Sequence, residues 1–122
     1  DDALGFVQRE LRRGRRYDGV ILDPPKFGRG PNGETWKLEE GLPELLNACA
    51  SLLRRDPKDA ASAEGFLIAT VYAVRLSYLA LVQTGEDSLG AAGGTWETGE
   101  MALPHANDAR VLPTAIFARW ST

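Results

Sequence analysis

Residues 17–36 read YDGVILDPPKFGRGPNGETW. An apolar run from Gly19 to Leu22 ends at Asp23, two prolines follow, then Lys26 and Phe27, then a glycine-rich stretch. The uninterrupted Val20-Ile21-Leu22 predicts a strand over 17–22 that is apolar on both faces, as central parallel strands are. Gly28, Gly30 and Gly33 have the spacing G-x-G-x-x-G. A dinucleotide fingerprint begins directly after its strand and opens a helix at its third glycine. Here five residues separate Leu22 from Gly28, Pro31 lies inside the spacing, and no Lys-Ser/Thr follows as in a phosphate loop. These glycines read as turn residues of an open loop over 23–40.

The chemistry is expected in the residues ahead of them. In open α/β sheets ligands bind beyond the carboxyl ends of the strands, where Asp23-Pro24-Pro25-Lys26-Phe27 would sit. Each proline fixes φ and lacks an N–H, and each holds the residue before it extended. The segment is therefore stiff and rich in carbonyl acceptors. Asp23 adds two carboxylate oxygens, and Phe27 adds a flat face on which a base can stack. The combination suits a planar group carrying an amine or ring nitrogen. The competing reading is a strand-ending turn with a buried phenylalanine.

Outward from this stretch, Leu4, Val7 and Leu11 recur at helical spacing and predict a helix over 2–13, with Asp2 as N-cap and Gly14 as stop. Leu42, Leu45, Leu46, Cys49, Leu52 and Leu53 mark an amphipathic helix with Pro43 near its first turn. A polar connection over 54–65 leads to a second buried strand over 66–73. A helix over 75–83, with a weak and flexible end over 85–94, precedes strands over 96–103 and 115–120. The exposed loop 104–113 joins those two. Alternating helices and strands predict a parallel α/β sheet, and the last two strands, with no helix between them, an antiparallel pair. No internal repeat or second domain is visible.

The 122 residues suffice for one small domain, and 43% hydrophobic with 25% charged residues are globular values. A net charge of −3 argues against general nucleic-acid binding. Arg9, Arg12, Arg13, Arg15 and Arg16 nevertheless fall within eight residues. They read either as a solvated helix end complementing the macrodipole or as a phosphate-contacting patch. One cysteine excludes a disulfide framework and a cysteine-based metal site, so no metal is expected. The longest apolar stretch, 66–74, is too short to span a bilayer and no signal peptide is visible. A cytoplasmic, membrane-free protein is expected. The opening DDALGFVQRE lacks methionine and reads as a cut into a longer chain.

YDGVILDPPKFGRG followed by GETWKLEEGLPELL resembles the class I S-adenosylmethionine-dependent methyltransferases, in particular the large-subunit rRNA cytosine methyltransferase branch. The resemblance extends over nearly the whole chain and is most specific in 17–46. It implies a Rossmann-like α/β fold of which residues 1–122 form the C-terminal half of the catalytic domain. The strands named above become the fourth, fifth, sixth and antiparallel seventh, lying in the order four, five, seven, six. The implied cofactor is S-adenosyl-L-methionine. Asp2 would accept from its adenine amino group, the backbone of Ala3 would meet a ring nitrogen, and Asp23 would border both cofactor and acceptor. The implied catalytic group is Asp23, Pro24, Pro25, Lys26 and Phe27. Asp23 and the Pro24 or Pro25 carbonyl hold the acceptor, Phe27 stacks on it, and Lys26 steers phosphate or fixes the loop. The implied substrate is RNA, ribosomal RNA by resemblance.

Two parts of the family pattern have no counterpart in 1–122. They are the glycine-rich loop after the first strand and the acidic residue after the second. A poor enzyme with half a cofactor site is expected, and a bare edge on the strand 17–22 that invites dimerisation. Methylation at cytosine C5 needs a thiolate. Relatives place that cysteine after the fifth strand, where this chain has ATVYAVRLS, and Cys49 reads as core. The acceptor atom stays open. Tyr72, Arg75 and Tyr78 either line the cleft or pack. Trp36 either packs the loop down or covers the pocket, Trp96 and Trp120 read as core, and His105 as solvent-facing. The alternatives are a non-catalytic RNA- or protein-binding module that keeps the half-fold, and a nucleotide-binding domain using 28–33.

Overall fold

The computed structural model describes residues 2–59, 61–72 and 75–122. Helix α1 (Ala3–Arg12) begins where Asp2 Oδ2 accepts the Gly5 N–H at 2.8 Å. Strand β1 (Gly19–Leu22) leads into a hairpin of β2 (Phe27–Arg29) and β3 (Thr35–Lys37), then helix α2 (Leu38–Leu52). Strand β4 (Phe66–Val71), helix α3 (Tyr78–Leu89), a 3-10 turn (Gly90–Ala92), β5 (Thr95–Pro104) and β6 (Val111–Ser121) follow. The main sheet has the order β1-β4-β6-β5. β1 and β4 are parallel, and β6 is antiparallel to both β4 and β5. This is the expected order of strands four, five, seven and six.

The topology explains why the helices share a face. β5 is parallel to β4, since both oppose β6. Two crossovers, β1-α2-β4 and β4-α3-β5, therefore move the same way across the sheet. Right-handed crossovers in one direction put their helices on one side. Leu45, Leu46 and Cys49 of α2, Leu81 and Leu89 of α3 and Val7 of α1 form one buried cluster with Leu67, Ala69, Val71, Ala118 and Trp120 of the sheet. Trp120 is fully buried, and its indole N–H donates to Gly93 O at 2.8 Å. The Trp96 ring lies so close to Gly85 that a Cβ there would stand 2.2 Å from it. That contact accounts for a glycine inside α3.

The opposite face carries Gly19 and Ile21 beside Phe66 and Ile68, by the register of β1 on β4. Ile21 is 69% exposed and Phe66 38%. The expectation that the first strand is buried on both faces therefore holds on one face only. β1 is an edge strand, and the helices described cover a single side of the sheet.

Other boundaries also differ from expectation. The segment 23–40 is not all loop: it holds β2, β3 and the start of α2. Strands of three residues alternate too briefly to be read as periodic. Pro43 is consequently the sixth residue of α2, in its second turn. The backbone bond it cannot make is to Glu39, at the exposed start of the helix, where water can replace it. Helix α3 starts later, at Ser77, whose hydroxyl accepts the Leu79 N–H at 3.1 Å, and it continues to a buried Leu89. The stretch 85–89 is thus held by packing rather than flexible. β5 and β6 run on as a two-stranded ribbon past the sheet. Asp1, Ala60, Ala73 and Val74, on which the expected chain start, connection, strand end and following segment fall, lie outside the described residues.

Candidate functional site at the carboxyl ends of β1 and β4

Parallel register places Leu22 beside Ala69, so the residues that follow, Asp23 and Thr70, meet. Thr70 Oγ1 lies 2.6 Å from Asp23 Oδ1 and 3.3 Å from Leu22 O. Its single proton goes to the shorter, charge-assisted contact. Asp23 is exposed, and its second oxygen has no partner among the described residues. Pro24 is buried beneath it. The Pro25 carbonyl accepts the Trp36 indole N–H at 2.7 Å, and the Lys26 carbonyl accepts the Leu38 N–H at 3.0 Å. The hairpin and the start of α2 thus clamp the segment from outside. Trp36 in turn lies over Gly41, where a Cβ would stand 2.2 Å from its ring. It packs the loop down.

Of the two proline carbonyls, Pro25's is engaged, whereas Pro24's accepts from none of the described residues. Asp23 Oδ2 and Pro24 O remain as open acceptors on a stiff segment, an arrangement able to hold a group bearing N–H donors. Lys26 is exposed, and Phe27 is 53% exposed, which overturns the buried-phenylalanine reading. Thr70 was not singled out from sequence. Its signal is a polar side chain at the end of the otherwise apolar FLIATV.

Asp2 and Ala3 are exposed at the start of α1. The Tyr17 hydroxyl donates to Glu10 Oε2 at 2.6 Å, tying the end of α1 to the start of β1. Asp2 uses Oδ2 for its cap. The Ala3 N–H belongs to the first turn, which has no intrahelical acceptor. One carboxylate oxygen and one backbone donor are thus adjacent. Tyr17's hydrogen bond, helped by Arg13 at 3.0 Å, holds the Glu10 carboxyl below its ordinary range, and Glu10 raises Tyr17. In the arginine cluster, Arg13 is engaged by Glu10 and Arg16 by the Arg15 carbonyl, while Arg12, Arg13, Arg15 and Arg16 are exposed.

The glycine-rich turn is closed on itself. Gly30 N donates to Glu34 O at 2.8 Å, Gly33 N to Gly30 O at 3.2 Å, and Asn32 N to Glu34 Oε2 at 2.9 Å. The Glu34 carboxyl is held low by its own backbone amide and by Asn32, and the amides of Gly30 and Gly33 are spent on backbone carbonyls rather than converging on one open point. This removes the nucleotide-loop reading of 28–33.

Tyr72 lines a shallow cleft of about 160 Å³ with Val71, Leu76, Glu100 and Ile116; Arg75 and Tyr78 do not. His105 is exposed, its Nδ1 3.3 Å from Asp108 Oδ1. Among the described residues no group of His, Cys, Asp and Glu could hold a metal ion, and no helix is long and apolar enough to cross a membrane. Cys49 is buried, and burial pushes its thiol pKa up to about 11, about two units above that of an exposed thiol. Near pH 8 its thiolate fraction falls roughly 100-fold from the shift alone. Iodoacetamide should therefore label Cys49 at least that much more slowly in the folded protein than in urea. Comparable rates would refute its core placement.

No protein-family model and no curated protein matches the sequence. Solved structures do. The SAM-dependent methyltransferase from Agrobacterium tumefaciens is 39% identical, with a TM-score of 0.83 over 98% of this chain and 38% of its own. A candidate SAM-dependent methyltransferase from Streptococcus mutans is 17% identical, with a TM-score of 0.64 over 98% of this chain and 29% of its own. A candidate methyltransferase complexed with SAH is 18% identical, with a TM-score of 0.57 over 98% of this chain and 30% of its own. The chain thus spans 38% or less of the length of these structures. Its fold is the Rossmann-like α/β fold of SAM-dependent methyltransferases, represented by four neighbouring strands and the helices on one face.

Proposed function

We propose that residues 1–122 are the acceptor-side, C-terminal half of a class I S-adenosylmethionine-dependent methyltransferase domain, of the rRNA cytosine methyltransferase type, acting on RNA in the cytoplasm. The observation that carries this reading is the clamped Asp23-Pro24-Pro25 segment, with Asp23 Oδ2 and Pro24 O left open. The likeness to the Agrobacterium tumefaciens methyltransferase supports it.

When bound, S-adenosylmethionine supplies an electrophilic methyl group on a sulfonium. The chain's residues fit its adenine end: the free oxygen of Asp2 beside the Ala3 N–H is the donor–acceptor complement of an adenine edge. Asp23 and the Pro24 carbonyl hold an amine-bearing acceptor, and Phe27 offers it a stacking face. Lys26, exposed beside them, favours a phosphate. Fixing the acceptor in line is the main source of rate on this reading. Cys49, buried with a raised pKa, is no nucleophile for C5 chemistry. An exposed Asp23 with a free oxygen speaks for the enzyme over a non-catalytic binding module.

A titration of residues 1–122 with S-adenosylhomocysteine, followed by NMR, tests the assignment. Shifts are expected at Asp2, Ala3, Asp23 and Thr70, with a Kd on the order of 1 mM, as half a site allows. Micromolar or tighter binding would overturn the half-site reading. Saturation without shifts at those residues would overturn the cofactor assignment.

A further inference from the structure

The amino end of the sheet, opposite the candidate site, joins two basic segments that lie far apart in the sequence. Tyr17 forms an isolated parallel bridge with Leu53: its N–H donates to Leu52 O at 2.8 Å, and its carbonyl accepts the Arg54 N–H at 3.0 Å. The end of α1 is tied to the same place, because Arg15 N donates to Glu10 O at 3.0 Å and the Tyr17 hydroxyl bonds the Glu10 carboxylate. Arg12, Arg13, Arg15 and Arg16 therefore gather at one end of the sheet with Arg54 and the turn that carries Lys58, and all six residues are exposed. Residues 9–18 and 54–64 hold eight cations against five carboxylates, whereas the rest of the chain holds six against twelve. A protein of net charge −3 thus carries a local positive surplus at this end. Helix dipoles explain only part of it, since they reach about one turn. Helix α1 ends at Arg12 and α2 at Leu52, so Arg15, Arg16 and Lys58 lie past that reach. Glu10 pairs with Arg13 and Asp18 with Arg54, while Arg12, Arg15, Arg16 and Lys58 make no ion pair among the described residues.

We infer that this end of the domain is a docking surface for the phosphate backbone of duplex RNA, with Arg15 and Arg16 at its centre. Seven of the eight cations are arginines, whose planar fork meets phosphate oxygens in pairs. The one aromatic residue of the two segments, Tyr17, is 36% exposed and has its hydroxyl spent on Glu10. The patch therefore lacks the stacking groups that single strands need. Apart from Tyr17 the two segments expose no large apolar side chain for a membrane surface to take up. Six steps of extended chain at about 3.3 Å separate Tyr17 from Asp23, so the patch and the open acceptors lie about 20 Å apart. That span is about six nucleotides of one strand, and a stem held at the patch can deliver a nucleotide near its end to Asp23. The choice of RNA rests on the methyltransferase reading proposed above; the anion-binding surface rests on the charges.

Fluorescence anisotropy with a labelled duplex RNA of about 16 base pairs and a single strand of equal length, without cofactor at low salt, tests it. The duplex should bind residues 1–122 the tighter of the two. Arg15→Gln and Arg16→Gln should each lower the slope of log K against log salt by about 0.9, and the double variant should weaken duplex binding at least about tenfold. Asp18→Asn, which releases Arg54, should tighten it. Arg110→Gln, in the turn between β5 and β6, should leave affinity and slope unchanged. All four positions are exposed, and far-UV circular dichroism checks that each variant folds. Tighter binding of the single strand, an unchanged slope in the double variant, or an equal loss with Arg110→Gln would overturn the inference. Phosphatidylserine vesicles that compete as well as unlabelled duplex would overturn it too, and would reassign the patch to a membrane surface. The S-adenosylhomocysteine shifts at Asp2 and Asp23 are read separately. Those shifts without duplex binding would sink this surface alone, and duplex binding without them would sink the cofactor assignment alone.

Discussion

Trp120→Ala is expected to destabilise the protein by about 3–5 kcal/mol, the range for removing a buried Trp or Phe. Trp120 is 0% exposed and sits on β6 with Leu67 of β4 on one side and Trp96 of β5 on the other. Its ring thus joins three strands to the helical layer. Its N–H also fixes Gly93 O, in a turn where Gly93 takes a φ of 72° that favours glycine. A domain covered by helices on one face has little reserve against typical stabilities of about 5–15 kcal/mol. Trp120→Phe separates the two contributions. It keeps most of the apolar area and leaves the Gly93 carbonyl without its donor, a loss of about 1–3 kcal/mol. Urea titrations followed by far-UV circular dichroism give both values. A loss below about 1 kcal/mol for the alanine variant would show that the core closes without this ring.

Self-association is the second large expected effect. The outer edge of β1 pairs with no described strand, and the adjoining face shows Ile21 at 69% and Phe66 at 38% exposure. An apolar edge strand is a template for pairing with another chain. Sedimentation velocity on residues 1–122 should show concentration-dependent dimerisation. Ile21→Lys should weaken it at least about tenfold, by placing a charge on both the edge and the face. The substitution is at an exposed side chain, so folding should survive it. A clean monomer at high concentration would refute the proposed β1 contact.

Much of the fold was legible because burial imposes periodicity. Val20-Ile21-Leu22, the heptad-like leucines of α2 and the apolar run at 66–71 each announce an element. The absence of a helix between the last two strands announces their antiparallel pairing, which β5 and β6 show. The hairpin was not legible, because the inward position of β2 is a glycine and Trp36 of β3 is the one side chain it turns inward. Nor was the full length of α3, whose Gly85 breaks the local propensity and is explained only by the Trp96 ring against it.

At the site, the residue types alone marked Asp23-Pro24-Pro25-Lys26-Phe27, since prolines constrain φ and remove donors whatever surrounds them. Which acceptors remain open depended on partners distant in sequence. Thr70 takes one oxygen of Asp23 from 47 residues away, and Trp36 takes the Pro25 carbonyl from 11 residues away. The glycines of 28–33 drew attention by spacing, yet the amides of Gly30 and Gly33 are spent on carbonyls of the turn itself, those of Glu34 and Gly30. By itself, then, the sequence determined the stiffness and the chemical types of the candidate site, because those are local covalent properties. Only the tertiary structure decided which of those groups are free to bind, because a hydrogen-bonding atom is available only when no neighbour brought by the fold has already claimed it.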